Sequence, residues 1–227
     1  MKRLLVFVFA IAISFVCAQS PTKYNFSNGL EFKLEEIDMR GFETYEAFKA
    51  ALSNASTWIP YDAVRLESLN KTSTNLGATE GKVVFAADYY EKGEERMGYM
   101  NLRSYPLQET TQNEITNDFI SILNVTLKRQ ISKEIIDLTG KIVKWNGTEK
   151  KILNNKIFLV SNYERENLNN KITSVFLYRY LDSNKSFTLT FAFYHPFNKE
   201  ILEKIEKDIL IHPMNLKNKK FISRINN

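Results

Sequence analysis

Between Lys141 and Tyr194 four β-type runs follow one another closely: Lys141–Trp145, Lys156–Tyr163, Thr173–Leu181 and Ser186–Tyr194. No feature of the chain limits its fold more, because strands this close in sequence form an antiparallel meander. The last run alternates strictly. Phe187, Leu189, Phe191 and Phe193 point one way, against Thr188, Thr190, Ala192 and Tyr194, the period-two pattern of a sheet with a buried face. Asn146-Gly147, Asn154-Asn155 and Asp182-Ser-Asn-Lys185 separate the runs with turn residues that tolerate positive φ.

Upstream, Leu30, Phe32 and Leu34 alternate in a short strand, and Tyr45, Phe48, Ala51 and Leu52 mark one face of a helix that Thr44 can cap. Residues 53–81 read as a long polar surface excursion. Lys82–Tyr90 and Met97–Tyr105 form a hairpin around the charged tip Glu91–Arg96. From Thr111 the spacing predicts a helix. Thr111 and Glu114 make a Thr-x-x-Glu capping box, and Ile115, Phe119, Ile122, Leu123 and Leu127 form its apolar stripe. Lys128 and Arg129 then fall near its negative end. A closing helix is predicted over Phe197–Ile211, capped by Asn198, with Ile201, Leu202, Ile205 and Ile209 inward and Pro213 as its stop. Strand runs interleaved with helices argue an α+β fold, a central antiparallel sheet with helices packed on its faces. No repeat or linker splits it, so one domain is expected over 19–213, followed by a basic tail at 214–227 with Lys217, Lys219, Lys220 and Arg224 and no acid.

The first segment reads as an address. Lys2 and Arg3 precede a largely apolar run from Leu4 to Ala18, shorter than the ~20 residues that span a bilayer. It fits a secretory signal at 1–18, cleaved between Ala18 and Gln19. The alternatives are an uncleaved anchor and lipidation of Cys17, which Phe15 and Val16 fit poorly. No later stretch approaches membrane length. Cys17 is the only cysteine, so the processed chain would hold no thiol, disulfide, thiolate zinc site or iron–sulfur cluster. Six Asn-x-Ser/Thr triplets, at Asn25, Asn54, Asn70, Asn124, Asn146 and Asn184, would be glycan acceptors in a eukaryotic secretory route. The missing disulfides and the Lys/Asn/Ile-rich usage point instead to a secreted or periplasmic bacterial envelope protein. The net charge of +5 is too small for an obligate nucleic-acid binder.

The helix from Thr111, Leu153-Asn-Asn-Lys156 leading into Ile157–Glu164, Val175–Tyr180, Phe187–Phe191 and the amphipathic Ile201–Leu210 segment together resemble the PsbP/Mog1 superfamily. Asn28-Gly-Leu-Glu-Phe32 would be the first strand of that pattern. One departure is Asn155, where the family often has Gly, and residues 53–81 have no counterpart. The resemblance implies an α/β/α sandwich and a non-enzymatic binding or assembly module. It transfers no partner and no functional residue.

Catalytic chemistry is hard to place. His195 and His212 are the only histidines, and a continuous helix between them would hold them ~25 Å apart, too far to share a metal. Nucleotide loops, Gly-x-Ser-x-Gly and His-Glu-x-x-His are absent. Paired carboxylates remain open, as do the doublets Glu35-Glu36 and Glu94-Glu95. The aromatics carry the binding expectation: Tyr178, Arg179 and Tyr180, with Tyr163 and Tyr194, as a sheet-face surface for sugars, peptides or proteins. Their other reading is cross-strand packing. The function expected is an exported non-enzymatic module with a protein partner in the cell envelope and no cofactor, metal or nucleic acid. The alternatives are a carrier of an apolar or lipid ligand, and a carboxylate-based hydrolase.

Overall fold

A computed structural model describes residues 20–36, 44–54, 56–75, 81–92, 95–105, 110–137, 140–167, 169–182 and 185–212. The proposed leader at 1–18, the tail at 214–227 and Pro213 lie outside the described residues, as does the centre of the Asp182–Lys185 turn. The strands are β1 (Ser20–Asn25), β2 (Leu30–Glu36), β3 (Thr57–Pro60), β4 (Lys82–Tyr90), β5 (Arg96–Ser104), β6 (Lys141–Leu153), β7 (Lys156–Glu166), β8 (Ile172–Asp182), β9 (Lys185–Tyr194) and β10 (Leu210–Ile211). The helices are α1 (Tyr45–Asn54), α2 (Ala63–Asn75), α3 (Asn117–Asp137) and α4 (Glu200–Asp208).

One ten-stranded sheet runs in the order β1-β2-β3-β4-β5-β9-β8-β7-β6, with β10 paired to β2. The fold is α+β, as the element order implies. The sheet is mixed, not wholly antiparallel: β2 meets β3 in parallel at the single pair Glu36–Trp58. The meander β6–β9 is present, with β9 lying against β5 so that the two hairpin systems join into one sheet.

Each face carries a helix. On one, Phe187, Leu189, Phe191 and Phe193 are fully buried with Phe32, Phe158, Met100 and Leu102, and α4 adds Leu202 and Ile205, with Ile209 just beyond its end. Burying each such side chain contributes about 1.5–3 kcal/mol, and the rings also meet each other, as Phe193 does Phe197 at 5.1 Å. On the other, α3 seats Leu127 and Ile131 against Tyr163, Val175 and Ala192. Ile115, Leu159 and Leu181 extend that packing.

Several expectations need correction. Residues 53–81 contain β3 and the thirteen-residue α2, not a surface excursion. β1 is a further strand, one the sequence pattern did not mark. The Thr111–Glu114 box exists, the Thr111 amide donating to Glu114 Oε2, yet it closes only a 3-10 turn at Gln112–Glu114. Ile115 turns into the sheet core, and Gln112 joins the ends of two strands by accepting from the Ile157 amide (2.9 Å) and donating to Leu181 O (2.6 Å). These contacts pin the turn, so α3 starts afresh with Thr116 Oγ1 accepting from the Phe119 amide at 3.2 Å. Ile122 is 69% exposed, and the buried face runs through Leu123, Leu127 and Ile131 instead. Lys128 and Arg129 are mid-helix, since α3 continues to Asp137.

Asn146-Gly147 is no turn. It lies inside β6, where the register slips between Trp145 and Gly147 and Gly147 takes φ +108°. Asn154 and Asn155 do form the two-residue turn, at φ 46° and 62°. The closing helix is shorter than expected. It ends at Asp208 because the chain turns extended to pair Leu210 and Ile211 with β2. Asn198 Oδ1 accepts from the Glu200 amide at 2.9 Å just ahead of it.

Candidate functional site

Strand alternation separates the residues expected to share a surface. Tyr178 and Tyr180 are each 1% exposed and belong to the α4 face. The Tyr178 hydroxyl donates to Glu206, and that of Tyr180 to Asp182 at 3.2 Å. Arg179 stands between them, so its side chain leaves on the α3 face, opposite Leu159 and Thr188. Tyr163 is on that face too but is buried, stacked on Trp145 at 5.7 Å. Tyr194 is half-buried, with Thr173 and then Arg165 across the strands. Three of the five expected contact residues are therefore core.

The structure gathers a different set of tyrosines and arginines on the α3 side of β4 and β5. Asp88, 3% exposed, sits opposite Tyr99 on β5. Its Oδ1 accepts from the Tyr61 hydroxyl at 3.0 Å and forms an ion pair with Arg96 Nη2 at 2.7 Å, and its Oδ2 accepts from Arg65 Nη2 at 2.8 Å. The Arg65 guanidinium lies 3.9 Å over the Tyr61 ring and that of Arg96 5.3 Å over Tyr99, whose hydroxyl accepts from Arg165 Nη2 at 2.9 Å. One continuous chain of contacts thus links three arginines.

Local sequence builds it. Asp62 Oδ1 accepts from the Arg65 amide at 2.8 Å and starts α2 there, which brings Arg65 over Asp88. Burial opposes the Arg65 charge, but its hydrogen bond to Asp88 and the carboxylate's field outweigh this and hold the guanidinium above its usual range. Burial, then the Asp88 charge, raise the Tyr61 hydroxyl. Both stay in their donor forms at neutral pH. Sequence reasoning passed over this group, although one signal was there: Asp88 is the only charge between Val83 and Tyr90 in an apolar strand.

Two grooves flank α4 on the opposite face. One, about 400 Å³, lies between α4 and β2–β4 over Leu34, Trp58, Tyr89 and Ile205. The other, about 560 Å³, lies between α4 and β6–β8. The histidines serve separate partners, His195 Nε2 with Ser174 Oγ at 2.7 Å and His212 Nε2 with Glu31 Oε2 at 2.7 Å. The stretch between them is not one helix, since α4 spans only Glu200–Asp208. Among the described residues no three His, Cys, Asp or Glu side chains are placed to hold a metal ion, and no helix is long and apolar enough to cross a membrane.

These features define an α+β protein whose mixed ten-stranded sheet is covered on both faces. No family model and no curated protein matches the chain. Among solved structures it is similar to a protein of Bacteroides thetaiotaomicron VPI-5482 (9% identity, TM-score 0.42, 86% of this chain). It is also similar to the cyanobacterial PsbP, CyanoP, of Synechocystis sp. PCC 6803 (11% identity, TM-score 0.45, 86% of this chain and 94% of that one). The chain spans about half, 49%, of the Bacteroides protein.

Proposed function

We propose that the protein is an exported, non-enzymatic binding or assembly module that docks an acidic segment of a protein partner on the Asp88 arginine–tyrosine surface. The leader-like sequence at 1–18 motivates the export. One observation carries the docking. Asp88 is almost fully buried and fixes Arg65 and Arg96 through one nitrogen each, while their side chains remain 48% and 38% exposed. Arg165 adds a third guanidinium to this surface through the Tyr99 hydroxyl. Guanidiniums held in place before a partner arrives lose little side-chain freedom on binding a carboxylate, and Tyr and Arg dominate the energetics of protein interfaces. Glu91, on the adjoining hairpin tip, turns to the other side of the sheet, where it lines the groove over Trp58. Rings of the α4-side core pack between sheet and helix, which leaves the groove over Leu34, Trp58, Tyr89 and Ile205 as the space that the lipid-carrier alternative would use.

The test uses the processed full chain and synthetic peptides with central Asp/Glu runs, against neutral and lysine-bearing controls, at low and high salt. Acidic peptides should bind selectively, and affinity should fall with salt. Arg165→Gln, which uncovers no buried carboxylate, should weaken binding about tenfold, the loss of one charge-assisted contact. Equal binding of neutral peptides, or an unchanged Arg165→Gln, overturns the reading.

A further inference from the structure

The groove between α4 and the meander has chemistry of its own, independent of the docking surface on the other face. Glu206, 8% exposed, reaches in from α4. Its Oε1 accepts from both the Tyr178 hydroxyl and Lys151 Nζ, while Oε2 meets no donor among the described residues. On β7, Asn162 Oδ1 is buried at the groove wall and likewise lacks a partner. The register explains the second vacancy, because Asn162 is flanked across the strands by Gly147 and Phe176, whose side chains have no donor. Phe176 and Phe197 meet edge-on at 5.9 Å and form an apolar wall.

Four glutamates (149, 164, 203 and 206) and three lysines (144, 151 and 199) line the groove. The glutamates oppose a polyanion, and the lysines oppose a simple cation. The charged walls oppose a fatty chain. A ligand whose groups both donate and accept suits interleaved carboxylates and ammoniums, and about 560 Å³ falls within the range of small-molecule sites. We propose that this groove binds a saccharide, its hydroxyls donating to Glu206 Oε2 and accepting from the lysines, with the apolar side of a sugar ring on Phe176 and Phe197.

Cellobiose, maltose and chitobiose, each titrated to about 20 mM into the full chain and followed by calorimetry and NMR, test this at affinities weak for a protein site. At least one should saturate, with shifts at Phe176, Phe197 and Glu203. Phe197→Ala, away from the buried ion pair, should weaken that sugar about fivefold, and Glu206→Gln about tenfold. No saturation by any of the three overturns the proposal, as does binding unchanged in both variants. Binding of laurate or 1,5-diaminopentane in place of the sugars overturns it too. Release of monosaccharide would support the ligand class while overturning the non-enzymatic reading. Arg165→Gln should leave the sugar titration untouched, which keeps failure of one site distinct from failure of the other.

Discussion

Asn70 and Val83 exchange a complete pair of hydrogen bonds: Oδ1 accepts from the Val83 amide and Nδ2 donates to the Val83 carbonyl, both at 2.8 Å. An asparagine side chain here imitates a neighbouring strand. The need arises because β3 covers β4 only from Ala87 to Tyr90, which leaves the outer edge of Val83 without a ladder partner. Asn70→Ala should cost about 1–3 kcal/mol, the penalty for stranding such groups, read as a lower urea midpoint. Because Nδ2 also donates to Leu66 O at 3.1 Å, Asn70 should carry no glycan after folding in a eukaryotic host, although its triplet is intact. Intact-mass analysis of the folded protein checks this.

Asp88 holds Tyr61, Arg65 and Arg96 together. Removing one partner of a buried ion pair costs about 3–5 kcal/mol, and partial exposure of the arginines reduces this. Asp88→Asn should therefore destabilise by about 2 kcal/mol in chemical denaturation. Arg65→Ala should also lower stability, whereas Arg165→Gln should change it far less.

Acid should weaken the contact between β2 and the end of β10. The Lys23 hydrogen bond lowers the Glu31 carboxyl below its ordinary value, burial opposes this, and His212 adds to the lowering. A carboxyl held lower in the folded than in the unfolded chain contributes stability above its unfolded value, near 4.5. That contribution is lost as pH falls through the folded value. The stability difference between the natural chain and Glu31→Gln should therefore be full at pH 7 and shrink below about pH 4, as urea midpoints across that range would show.

Gly98 lets β5 approach β9. A Cβ there would stand 2.4 Å from Ala192 O and 2.9 Å from Phe193 Cδ1. Backbone cannot give way as a side chain can, so Gly98→Ala should lower stability by about 1–3 kcal/mol. The loss should appear as a lower melting temperature, together with faster amide exchange along β9.

Much of the fold can be read locally. The alternation of Phe187–Phe193 depends only on the two-residue period of a strand, and those four side chains share the α4-side core, while Thr188 and Ala192 are buried on the other face. The Asn154-Asn155 turn was legible for the same reason, since positive φ favours Asn at both positions. Adjacency misled where that period applies most directly: Tyr178-Arg179-Tyr180 looked like one surface, yet neighbours on a strand face opposite ways. The Asp88 group was less visible, because Tyr61, Arg65, Asp88, Arg96, Tyr99 and Arg165 come from four segments that only the sheet order brings together.

Left to itself, the sequence determined the α+β class, the meander, the hairpin and which side chains of β9 share a face, because periodicity and turn residues act within a few positions. Only the tertiary structure decided where α3 begins, that residues 53–81 form β3 and α2, and which arginines share a carboxylate. Those outcomes depend on contacts between distant segments, such as Gln112 with Leu181 and Arg65 with Asp88. Contacts of that kind leave no periodic trace in the chain.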